Sequence, residues 1–199
     1  MDVEAIAISR SRSRARRCLG RLIAATCLLV SAAPLCAQKP TEYDIKAAYL
    51  FNFGKFLRVP DEPAVSRRTS FDICVLGRND FGGTLERLTA NEQNNGLPER
   101  TVNVASAAEA KDCAILFLSS SEVDRVDGEL ADLAGAPVLT VSDMPRFLEH
   151  GGMIALEMQG NHVRFSVALD AVNRAGLMLS SELLKVASRV TGKPKGDLR

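Results

Sequence analysis

Strand-like apolar runs separated by helical segments constrain this chain more than any other feature. "TSFDICVLG" is an apolar run rich in β-forming residues and reads as a buried strand. "TVNVA", "CAILFL" and "PVLTV" read as further short strands. A helix is expected in "FGGTLERLTANE", after a Gly-containing turn. Another is expected in "SSSEVDRVDGELADLAG", capped by serine and ended by Gly135. Strand, helix, strand, helix, strand is the pattern of an α/β layer with parallel pairing. "GGMIALEMQGNHVRFSVAL" changes style, reading as two strands around a "QGNH" hairpin turn. In "DAVNRAGLMLSSELLKVASRV" a broken helical segment is expected, with Gly176 at a C′ position and Ser180 as the next N-cap. The expected fold is therefore α/β. It is a single domain with a layered mixed β-sheet flanked by helices, and a C-terminal β-hairpin followed by helices.

The amino terminus has a different character. Arg10, Arg12, Arg14, Arg16, Arg17 and Arg21 form a basic run, followed by the apolar "LIAATCLLVSAAPLCAQ". A positive n-region, an apolar segment and small residues before a polar exit describe a secretory signal peptide, expected over residues 1–37. The apolar run is shorter than the roughly 20 residues of a membrane span, which disfavours an uncleaved anchor. Processing is expected after Ala33 or Ala37, and the exported domain is expected over about 38–199, its core at about 41–190. Arg16-Arg17 is also a weak twin-arginine signal. Removing the segment takes away six of 25 basic and two of 24 acidic side chains, leaving 19 against 22 and a net charge of −3. No Lys/Arg stripe remains to track phosphates, so nucleic-acid binding is disfavoured.

"TEYDIKAAYLFNFGKFLRV" reads as the first helix of the domain, with Thr41 as N-cap and Pro60 as its stop. Helical spacing puts Ile45, Ala48, Tyr49, Asn52, Phe56 and Val59 on one face, with Phe53 at its margin. That face is expected to be core, and Asn52 on it needs a hydrogen-bond partner. "PDEPAVSRR" reads as a loop.

Groups able to move protons, attack or hold metal are sparse. His150 in "LEHGG" and His162 in "GNHVR" sit in turn-like settings, without HxH, HExxH or CxxC spacing. There is no G-x-S-x-G elbow. "GRNDFGG" lies between a strand and a helix but matches neither phosphate-loop pattern, and reads as a tight turn. "LSSSE" could hold an anion at a helix start, although N-capping explains it equally well. No cofactor, metal site or catalytic activity is expected.

Cys74 and Cys113 are the cysteines certain to remain after processing. Each is either a small buried hydrophobe in a strand or half of a bridge, which an oxidising compartment favours. A redox-active pair lacks the CxxC spacing.

The segments "KAAYLFNFGKFLRVP", "FDICVLGRNDFGGTLE", "CAILFLSSSE" and "VLTVSDMPRFLEHGGMIALEMQGNHVRFSVALDAVNRAGLMLSSELLKVA" occur in an order that resembles the YfiR family of periplasmic proteins. The likeness covers roughly residues 41–190, and 151–187 is its most specific block. The resemblance implies a periplasmic, often dimeric, non-enzymatic regulator. It would repress an inner-membrane diguanylate cyclase by binding the cyclase's periplasmic portion, with an outer-membrane lipoprotein relieving the repression. Sensor histidine kinases are alternative membrane partners. The resemblance also implies a Cys74–Cys113 disulfide. "LEHGGMIA" lacks the second cysteine pair of some relatives, so redox control through that pair is not expected.

Phe51 falls off the apolar face, on a flank with Lys55 and Arg58. An aromatic beside cations suits a partner or homodimer surface, the alternative being packing under a neighbouring loop or the C-terminal helix. A competing function is a periplasmic small-molecule-binding protein serving a transporter or sensor kinase. Its ligand would sit at the loops after the strands, around Arg78, Ser119, Ser120, Ser121, Ser142 and Asp143.

Overall fold

The computed structural model describes residues 39–59 and 68–193. The expected signal peptide and the expected loop, apart from Arg68, lie outside the described residues. The first helix, α1, spans Glu42–Phe56. Thr41 caps it as expected: its Oγ1 accepts from the Asp44 N–H, and the Asp44 carboxylate accepts from the Thr41 N–H at 2.8 Å. The helix ends one turn earlier than expected, giving way to the short strand β1 (Leu57–Arg58).

The chain continues through β2 (Phe71–Leu76), α2 (Thr84–Thr89), β3 (Gln93–Asn94) and β4 (Leu97–Val104). A 3₁₀ turn (Ala107–Ala110) leads to β5 (Ile115–Leu118). The serine-rich segment expected as one helix is a 3₁₀ stretch over Ser120–Arg125 followed by α3 (Val126–Asp132). Then come β6 (Leu139–Ser142), β7 (Ile154–Gln159), β8 (His162–Ala168), α4 (Leu169–Arg174), β9 (Met178–Leu179), α5 (Ser181–Val186) and β10 (Arg189–Thr191).

Eight strands form one sheet in the order β10-β8-β7-β6-β5-β2-β4-β3. Pairing is parallel from β4 through β2, β5 and β6 to β7, antiparallel in the β7–β8 hairpin, and parallel again between β8 and β10. The fold is α/β with a mixed sheet, as expected. The broken C-terminal helix is present too: Gly176 takes φ 71° and Ser180 Oγ accepts from the Leu183 N–H. The helix does not run on to Val190, because residues 189–191 pair with β8 instead. β1 and β9 pair as a separate antiparallel ribbon.

Strand alternation builds two apolar layers. Ile73, Val75, Ile115, Phe117, Leu139 and Val141 face α1, α2, α4 and α5. Cys74, Leu76, Leu116 and Leu118 face the other way, toward α3 and Phe147. Burial of both faces explains why these strands read as continuous apolar runs. The strand order turns back at β2, which has β4 on one side and β5 on the other. The loops after β2 and β5 therefore meet at the switch point of the sheet.

The phase of α1 differs from the expectation by about one residue. Its buried positions are Lys46, Ala47, Leu50, Phe53 and Gly54. Tyr49 and Phe56 pack at the margin of the same core, while Asn52 is exposed and its Nδ2 donates to the Ala48 carbonyl of its own helix. Phe53, Tyr49 and Phe165 form an aromatic triad with centroids 5.2–5.8 Å apart. Gly54 lets the helix approach the sheet closely. A Cβ there would lie 2.9 Å from the Phe71 ring and 3.0 Å from Asn94 Nδ2.

Candidate functional site

Two regions gather the residues singled out in the sequence. The first is the outer flank of α1. Phe51 is half-buried, belongs to neither apolar cluster among the described residues, and lies 4.2 Å from Lys55 Nζ across its ring face. Arg58 is exposed, but it lies in β1 opposite Met178 of β9 rather than on the helix. Its neighbours are therefore set by the ribbon. Met178 is itself 45% exposed, so Arg58 and Met178 form an exposed pair on the ribbon.

Beneath this flank sits a carboxylate that the sequence reading missed. Glu99 is buried in β4, where Asn94 Nδ2 donates to its Oε1 at 3.1 Å and its Oε2 has no partner among the described residues. Burial pushes its pKa up, opposed by the Asn94 hydrogen bond and the positive charge of Lys55. A glutamate raised in the folded state costs stability when ionised, so stability is gained as pH falls through the folded pKa toward the ordinary 4.5. Glu99→Gln, neutral throughout, should therefore be more stable than the parent at neutral pH. In urea titrations its advantage should shrink as pH is lowered toward that value.

The second region lies at the carboxyl ends of the strands. The alternative ligand residues are indeed brought together there, yet most of their polar groups are already engaged. The Arg78 N–H donates to Ser121 Oγ at 3.0 Å, and the Arg78 guanidinium pairs with Asp80 at 2.8 Å. Ser121 Oγ donates to Glu122, and Ser119 Oγ accepts from the Ser121 N–H. Ser142 Oγ donates to the Leu118 carbonyl at 2.6 Å and accepts from the Met144 N–H. Ser120 is half-buried beside them, with no side-chain hydrogen bond among the described residues. Gly77, at φ 86°, has no room for a side chain, since a Cβ would lie 2.5 Å from Ser121 Oγ. The two loops thus pack against each other across the switch point.

Asp143 is different. Its side chain is 6% exposed and meets Lys46 Nζ, 5% exposed, at 2.6 Å. Tyr43 OH donates to the same oxygen at 3.0 Å, while Oδ1 has no partner among the described residues. Burial, then the Asp143 charge, pushes the Tyr43 hydroxyl pKa upward. Lys46 also contacts Glu42 at 2.5 Å and lies 4.3 Å from the Tyr43 ring centroid. Asp44 Oδ1 accepts from Thr84 at 2.6 Å, and that bond leads the causes holding Asp44 at a pKa of about 2. The first two turns of α1 are thereby latched over the sheet end. Sequence reasoning passed over Tyr43, Asp44 and Lys46. The one local signal was a lysine inside the apolar stripe.

Cys74 and Cys113 are bonded to each other, with Cα atoms 6.1 Å apart. Both are buried, so the bridge ties β2 to the turn that precedes β5. His150 Nδ1 lies 2.7 Å from Asp127, and His162 is exposed at the start of β8. Among the described residues no cluster of three or more His, Cys, Asp or Glu side chains could hold a metal ion.

The YfiR/HmsC-like family model matches residues 43–188, from the first turn of α1 to just before β10. The chain belongs to the YfiR/HmsC-like family. The match takes in the whole sheet except its terminal strand, and both cysteines of the bridge. The fold is similar to the crystal structure of a conserved domain protein from Vibrio cholerae O1 biovar eltor, with a TM-score of 0.53 at 9% identity. That alignment covers 76% of this chain and 60% of the other, so the chain spans less than two thirds of that protein. The resemblance read from sequence is thus a family membership. No helix among the described residues is long and apolar enough to cross a membrane.

Proposed function

We propose that this YfiR/HmsC-like protein is a periplasmic, non-enzymatic regulator. It binds the periplasmic part of an inner-membrane signalling protein, represses a diguanylate cyclase and so lowers cyclic di-GMP. Family membership over 43–188 supports the regulatory class. The observation that carries the contact surface is Phe51, an aromatic outside both cores with Lys55 Nζ 4.2 Å from its ring centroid. Aromatic and cationic anchors of this kind concentrate binding energy at interfaces. An outer-membrane lipoprotein that relieves the repression and a homodimeric state belong to the same proposal. So do cleavage of residues 1–37 and a domain over 38–199.

Phe51→Ala should separate binding from folding. Loss of an interface anchor costs at least about 2 kcal/mol in binding. Phe53→Ala, at 0% exposure, should cost roughly 3–5 kcal/mol in folding. Membranes solubilised with tagged protein should yield the partner by mass spectrometry, and Phe51→Ala should lose it while melting like the parent. If the Phe51 variant melts as poorly as the Phe53 variant, Phe51 is core and the surface is misplaced.

A further inference from the structure

At the opposite end of β6 from Asp143, a groove of about 590 Å³ opens where the two helical layers meet. Its size falls within the range of small-molecule sites, about 300–1,000 Å³. Leu130, Leu133, Val138 and Met153 supply apolar walls, and Ala131 and Ala175 keep it open by being small.

Two polar side chains in it have donors left unused among the described residues. Thr140 is 2% exposed; its Oγ1 accepts from the Met153 N–H at 3.2 Å, and its own proton has no acceptor among the described residues. Arg174, exposed on the last turn of α4, has no acidic partner among the described residues. On the rim, His150 Nδ1 lies 2.7 Å from Asp127 Oδ1. The groove is thus an apolar trough with a buried hydroxyl donor and a guanidinium that has no acidic partner among the described residues.

We propose that this groove binds a small amphipathic monocarboxylate. Its apolar body would lie against Leu130, Leu133, Val138 and Met153, and its carboxylate would meet Arg174. A neutral apolar molecule would leave the guanidinium unused, and an apolar cation would meet it with like charge. The site is independent of the α1 flank, so it stands or falls separately from the regulatory reading.

The test uses purified oxidised protein, amide-resolved NMR, and three probes sharing one chain: decanoate, decanol and decylammonium. Decanoate should shift the amides of Ala131, Val138, Met153 and Arg174, and bind more tightly than either other probe. Arg174→Ala should weaken decanoate about tenfold, the value of one charge-assisted contact, and bring it level with decanol. Ala131→Leu, a substitution on an exposed helical position that fills the groove, should abolish binding of both while leaving the remaining spectrum intact. Three results on the parent protein would overturn the proposal without reliance on any variant. They are equal binding of decanoate and decanol, shifts centred elsewhere, or no binding at millimolar concentration. Decanoate binding unchanged in Arg174→Ala would overturn it equally.

Discussion

Cys74→Ser should lower the folding stability by about 4 kcal/mol, the loop-closure value for a bridge spanning 39 positions. For a domain of this length that corresponds to a fall in melting temperature on the order of 10 °C. The physical reason lies mainly in the unfolded chain, which regains the freedom of the segment between β2 and β5. The folded sheet should be unchanged, because the pairing of β2 with both β4 and β5 is independent of the sulfurs. Calorimetry of the parent with and without reductant, beside Cys74→Ser and Cys113→Ser, checks this. The two variants and the reduced parent should melt together, well below the oxidised parent. Coincident melting of all four samples would show that the bridge constrains nothing.

Lys46→Met should cost roughly 3–5 kcal/mol, because it strands a buried carboxylate. Asp143 would keep only Tyr43 as a donor, in a position 6% exposed and with Oδ1 already unpartnered. The converse follows from the desolvation argument. Lys46→Met combined with Asp143→Leu removes both charges and should recover most or all of the loss. A double-mutant cycle by urea denaturation gives the coupling directly. Simple addition of the two single losses would mean the pair is not coupled, and the latch between α1 and the sheet would have to be assigned to Asp44–Thr84 and packing alone.

The strands read correctly from sequence are those whose local pattern and tertiary setting agree. β2, β5 and β6 are apolar throughout because both faces are covered, and the β7–β8 hairpin carries its turn in "QGNH". β1, β9 and β10 have two or three residues each and no pattern of their own; pairing with distant partners creates them. The phase of α1 was misread because aromatic positions were weighted and Lys46 and Gly54 were not. Lys46 is buried through an ion pair formed 97 residues away, and Gly54 through a close approach to Phe71. Neither cause is local. The residues at the carboxyl end were found by strand position, yet the helix that covers Asp143 could be placed there only by the fold. The groove had no sequence signal at all, since its walls come from α3, the segment leading into β6, the turn before β7 and α4.

The regulatory account is tested most directly by cyclic di-GMP in cells that express this protein together with the membrane diguanylate cyclase it co-purifies with. Three strains suffice: no regulator, the parent protein, and Phe51→Ala, with regulator levels matched by immunoblot. The account predicts that the parent lowers cyclic di-GMP below the strain without regulator and that Phe51→Ala restores it at equal protein abundance. Cyclic di-GMP that is the same with and without the parent protein would contradict it.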